Sequence, residues 1–181
     1  LYTDYDGPAD ADVIEQGGGA DQPESGDRFG SVLSVVPTGD GPIVLVGIPN
    51  EDVGTKKDAG MAGMIVPNGA SNGGQLFLIS QDSPGAAGTA EAGDRYGSSL
   101  SMFATFTDHP VVMVAIGVPN EDDGRRRDAG RVSFGVIDLP GTPEDGYPPM
   151  RGGDSDVVQG DRWVPGAAEA GDRFGASVLT G

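Results

Sequence analysis

Three short motifs recur in a fixed order along this chain, and that repetition limits its possible folds more than any other feature. Ser25-Gly-Asp-Arg-Phe-Gly30 returns as Ala92-Gly-Asp-Arg-Tyr-Gly97 and as Ala170-Gly-Asp-Arg-Phe-Gly175. Asp27 and Asp94 lie 67 residues apart, and Asp94 and Asp172 lie 78 apart. Pro49-Asn-Glu-Asp-Val-Gly-Thr-Lys-Lys-Asp-Ala-Gly60 returns 70 residues later as Pro119-Asn-Glu-Asp-Asp-Gly-Arg-Arg-Arg-Asp-Ala-Gly130. A looser element leads into each first motif: Val13-Ile-Glu-Gln16, Leu78-Ile-Ser-Gln81 and Val157-Val-Gln159. Such a chain is expected to build one supersecondary unit per period, each unit packing on its neighbours.

Each period contains four strand-like pieces. The first follows the aromatic-Gly pair, at residues 29–36 and 96–106. In the second copy Tyr96, Leu100, Met102, Ala104 and Phe106 fall on one face, the alternation of a half-buried strand. The second piece, 43–46 and 111–116, is apolar on both faces, as a central strand should be. The third follows Asp-Ala-Gly, at 61–66 and 131–137. The fourth is 75–80, with 156–159 as its weaker partner. No segment has helical periodicity, and 32 Gly with 14 Pro supply frequent turns. The expectation is all-β: four antiparallel strands per repeat, the blade of a β-propeller.

The same residues resemble the FG-GAP repeat family, which also builds the head of integrin α-chains. The family is named for a Phe-Gly pair followed by Gly-Ala-Pro. Here Phe29-Gly30 is followed by Gly47-Ile-Pro49, and Tyr96-Gly97 by Gly117-Val-Pro119. Phe174-Gly175 opens a third copy. The resemblance covers nearly the whole chain and implies a propeller of about seven blades. The expected organisation is the second half of a blade over 1–24, whole blades over 25–91 and 92–169, and a first strand over 170–181. Residues 1–5 and 11–16 read as the strands of the first half-blade, which brings the total to about eleven strands. This is an incomplete ring of about two and three-quarter blades. Its expected completion is the remainder of a longer propeller chain or a second polypeptide.

The formal net charge is −17, from 28 acidic and 11 basic side chains. Such a surface repels nucleic acid and anionic lipid. No run is long and apolar enough to insert in a membrane. Cysteine is absent, so disulfides and thiolate metal sites are excluded. The single histidine, His109, reads as a turn residue. No nucleophile-elbow, P-loop or zinc-protease motif is present.

Two sets of residues are candidate sites. The acidic loops place Asn50, Asp52 and Asp58, and again Asn120, Asp122 and Asp128, at spacings that suit Ca2+. The resemblance supports calcium, because integrin-type repeats carry Asp-rich loops. Two features depart from that pattern: the fifth position is Gly, and the loop follows Gly-x-Pro instead of preceding it. The competing reading is a structural turn in which Asp58 and Asp128 accept backbone N–H bonds and Gly60 and Gly130 take positive φ. The second set is the repeated motif itself. Asp27, Asp94 and Asp172 are expected to close turns. Phe29, Tyr96 and Phe174 are expected to pack between blades, with Gly30, Gly97 and Gly175 allowing close backbone approach. Trp163, the only tryptophan, is expected to cover an apolar patch.

Together these features point to a non-catalytic binding or scaffold module for a protein or carbohydrate ligand. Calcium is the one cofactor considered. The resemblance implies secretion or display at the cell surface, with roles in adhesion and recognition. The alternative is the accessory propeller of a secreted, phospholipase-like hydrolase whose catalytic residues lie outside this chain.

Overall fold

A computed structural model describes residues 22–38, 41–67, 74–86, 88–105, 111–138 and 150–180. Among them are two four-stranded antiparallel sheets and no helix. The first is β1 (Leu33–Thr38), β2 (Gly41–Ile48), β3 (Met61–Pro67) and β4 (Gly74–Ile79), hydrogen-bonded in chain order. The second is β5 (Ser99–Ala104), β6 (Val111–Val118), β7 (Arg131–Asp138) and β8 (Met150–Val157), in the same order. Each strand pairs antiparallel with its chain neighbours, so each sheet is an up-and-down meander.

The two sheets repeat one another in register as well as in sequence. Leu33 pairs with Val46, and Leu100 with Ile116. Gly47 pairs with Ala62, and Gly117 with Val132. Ala62 pairs with Ile79, and Val132 with Val157. The alternation of side chains then decides what is buried. Ile43, Leu45, Met64 and Phe77 from the first sheet share a core with Leu100, Met102, Val112, Val114 and Ile116 from the second. The central strand β2 is buried on both faces, through Leu45 on one and Val46 on the other.

Several boundaries differ from the sequence expectation. β1 and β5 begin at Leu33 and Ser99, not at Phe29 and Tyr96. The aromatic residues belong to the preceding turn, in which Arg28 and Arg95 take φ of 62° and 60°. β8 begins at Met150, well before the expected 156. Its Met-Arg-Gly-Gly-Asp-Ser-Asp-Val sequence has almost no strand preference. Pairing with β7 imposes the conformation, with a register shift between Phe134 and Val136. Residues 174–180 contain no strand, only an isolated parallel bridge between Phe174 and Gly130. The pieces at 1–5 and 11–16, Phe106 and His109 lie outside the described residues.

The sheets meet through main chain. Tyr96 N–H donates to the Ala59 carbonyl at 2.9 Å, and Gly93 N–H to the Lys57 carbonyl at 2.9 Å. The second sheet offers Ala129 and Arg127 in the same way, to Phe174 and Gly171, again at 2.9 Å. Gly60 has φ of +87°, and a Cβ there would overlap the backbone of Tyr96. Gly130 stands in the same relation to Phe174.

A pair of substitutions separates conformational cost from steric cost. Gly54 also has positive φ, +64°, but a Cβ there meets nothing within 4 Å. Gly54→Ala is expected to cost about 1 kcal/mol, from the left-handed backbone alone. Gly60→Ala adds a clash with unyielding backbone, for a total of about 3 kcal/mol or more. Urea unfolding of both variants measures the difference, and equal costs would rule out the tight junction.

Candidate functional site

The Gly-Asp-Arg-aromatic-Gly motif builds a turn that ends at the junction. The Asp94 carboxylate accepts the Glu91 N–H, as Asp27 accepts that of Glu24 and Asp172 that of Glu169. This bond closes a four-residue loop and aims the next N–H groups at the preceding repeat. Tyr96 is fully buried in the shared core. Phe29 and Phe174 are half-buried. A Cβ on Gly97 would overlap the Met61 carbonyl, and one on Gly175 the Arg131 carbonyl. Gly30 has no such neighbour among the described residues.

Beside this turn lies a buried polar cluster. Gln81, at the end of the first sheet, donates its amide N–H to Glu121 Oε2 at 2.7 Å. Arg131 lies 3.4 Å from Glu121 and 2.7 Å from Asp156. Burial pushes the carboxyls of Glu121 and Asp156 above the usual range, and Arg131 opposes the rise at both. Asp94 is pushed up to about 7, first by burial and then by the carboxylates of Glu121, Glu91 and Asp122. The buried Tyr96 hydroxyl and the Asp156 carboxylate both face Ser133 Oγ. Arg131 joins Glu121 and Asp156 within the second repeat, and the Gln81–Glu121 bond ties that cluster to the first sheet. Sequence reading did not single out Gln81, Glu121, Arg131 and Asp156 as a site. Gln and Glu carried a signal, because both recur with their motifs, whereas Arg131 replaces Met61 of the first copy.

The acidic loops hold their own shape. Asp52 Oδ1 accepts the Asp58 N–H at 2.8 Å, and Asp122 Oδ1 that of Asp128 at 2.9 Å. The turn reading expects Asp58 and Asp128 to accept backbone N–H bonds; they do so through their carbonyls, from Arg95 at 3.3 Å and Arg173 at 3.0 Å, while the carboxylate acceptors inside the loops are Asp52 and Asp122. Asp58 and Asp128 take φ of 51° and 52°. Asn120 donates its amide to the Gly93 carbonyl at 2.9 Å, while Asn50 Oδ1 is buried without a partner. No group of three or more His, Cys, Asp or Glu side chains converges on a metal position among the described residues. Trp163 covers no apolar patch: it is 83% exposed, with the Arg162 guanidinium 4.8 Å over its ring.

No family model and no curated protein matches this chain.

The raised Asp94 pKa has a consequence for stability. The folded chain holds this proton up to about pH 7, whereas an unfolded Asp loses it near 3.9. The stabilisation is therefore complete below the unfolded value and is lost as pH rises through about 7. Asp94→Asn keeps an acceptor for Glu91 N–H and removes the ionisation. Thermal melts from pH 5 to 8.5 should show a falling melting temperature in the wild type and a flatter profile in the variant. Parallel profiles would remove Asp94 as the cause.

Calcium is tested at the loops. With Asp52 and Asp122 engaged by backbone, equal melting temperatures are expected in millimolar calcium and in chelator at matched ionic strength. A rise in calcium that disappears in the Asp58→Ala, Asp128→Ala double variant would establish a bound metal.

Proposed function

We propose that this chain is a non-catalytic binding or scaffold module whose sheets are blades of an FG-GAP-type propeller. The ring is completed by the remainder of a longer chain or by a second polypeptide. The resemblance is the support for a place at the cell exterior. One observation supports this reading most directly: the repeated motifs are used in sheet-to-sheet contacts. The Gly-Asp-Arg-aromatic-Gly turn donates to the backbone of the preceding repeat, and the Asp-Ala-Gly loop receives it. A catalytic site needs dissimilar groups brought together, whereas these residues are identical from repeat to repeat and face one another.

Ligand chemistry then falls to residues that do not repeat. Trp163 with Arg162 presents a flat cation-capped ring, the kind of anchor that dominates interfaces. Arg125 is exposed in a loop where the first copy has Thr55. Rigid sheets fix the positions of such loops.

The sole tryptophan is a built-in reporter. Titration with extracellular-matrix proteins or with glycans is expected to shift its fluorescence, and Trp163→Ala is expected to weaken binding roughly tenfold or more. The same preparation, with calcium and magnesium, should not turn over ester, phosphodiester, peptide or glycoside substrates. Turnover abolished by a point mutation in this chain would overturn the proposal.

A further inference from the structure

Aligning the two repeats by their motifs pairs each position of the first sheet with one of the second, and burial differs sharply at four of these pairs. Leu33 and Val35 are 58% and 57% exposed, while their counterparts Leu100 and Met102 are 7% and 8% exposed. In the opposite sense, Phe103 and Met113 are each 41% exposed, while Val36 and Ile43 are 5% and 1% exposed. The buried member of each pair belongs to the core shared by the two sheets. The exposed members lie on the two outward faces. The far face of the second sheet thus repeats the apolar surface on which, in the first sheet, a neighbouring sheet is seated.

That far face is already partly occupied. Thr180 N–H donates to Ser101 Oγ at 2.8 Å, repeating the bond from Met102 N–H to Ser34 Oγ at 3.0 Å in the first junction. Phe174 N–H donates to the Ala129 carbonyl, as Tyr96 N–H does to that of Ala59. Residues 174–180 therefore fill the place of a first strand, and Phe103 and Met113 remain uncovered beside it. A second intact copy of this chain does not fit there, because its own β1 needs the same place.

A polar group marks the same face. Gln81 ties the first junction by donating to Glu121. Gln159, its counterpart, has the same posture: a Cβ on Gly166 would meet its amide nitrogen at 2.7 Å, as one on Gly88 would meet that of Gln81 at 2.8 Å. No described residue accepts a hydrogen bond from Gln159.

We infer that Phe103, Met113 and Gln159 form a docking surface for the second to fourth strands of a further repeat of this type, whose Gly-x-Pro-Asn-Glu loop offers a glutamate to Gln159. The inference rests on the repeat reading proposed above and adds the identity of the neighbour and the contact that recognises it. The interface is continuous with the segment 174–180 already in place.

The test extends the chain after Gly181 with a copy of its own residues 104–169, which restores the strand order and loop lengths of a repeat. Hydrogen peroxide should oxidise Met113 several-fold more slowly in the extended chain, read by mass spectrometry of the Met113 peptide. Gln159→Ala should leave the melting temperature of the original chain unchanged. In the extended chain it should lower it, by about as much as Gln81→Ala does in the original. If the extended chain precipitates, an isotope-labelled 104–169 polypeptide added in trans at tens of micromolar should give the same protection of the unlabelled Met113. Equal oxidation with and without the added segment, or a silent Gln159→Ala in the extended chain, overturns the inference. Neither result depends on ligand binding or turnover, so failure of the functional proposal reads separately.

Discussion

Main chain pressed against main chain at the sheet junction is the contact on which the rest of this architecture depends. Gly60 and Gly130 bring the loop before the third strand of one repeat so close to the aromatic of the next that no side chain fits between. The N–H groups of Tyr96 and Phe174 then find carbonyls at 2.9 Å instead of being buried unpaired. Unpaired, each would cost on the order of 1–3 kcal/mol. Once that spacing is set, the apolar faces of the two sheets are held at the distance at which Leu45, Met64, Tyr96 and Ile116 fill one core.

The cost of this closeness is carried by acids. The turn that delivers the aromatic is closed by a carboxylate, and packing two repeats together buries Asp94 near Glu121. A strongly acidic chain thus places ionisable groups where water is scarce. It offsets that burial with an amide from Gln81 and a guanidinium from Arg131. Holding a proton on Asp94 near neutral pH relieves the remaining repulsion. The junction is therefore both the link between the two sheets and a place where burial raises carboxyl pKa values.

Repetition also separates the residues that stack the sheets from those left at the surface. A residue copied into each period and directed at the next serves stacking. Residues that break the pattern, such as Trp163 and Arg125, stay at the surface.

The sequence by itself determined the all-β class, four strands per period, the central position of β2 and β6, and the fixed order of the motifs. These follow from local rules: alternation along a strand, glycine at turns, apolar runs where both faces are covered. It could not place β8, whose Gly-Gly-Asp-Ser core has no strand preference of its own and is shaped by β7. It did not single out Asp52 as the carboxylate acceptor inside the acidic loop, because spacing alone does not say which of Asp52 and Asp58 turns its carboxylate toward the backbone. Tertiary structure alone decided that the Gln closing one period donates to the Glu opening the next loop but one. Those residues, Gln81 and Glu121, are 40 positions apart. Nothing in either segment specifies that contact until the paired strands between them set the distance and the direction.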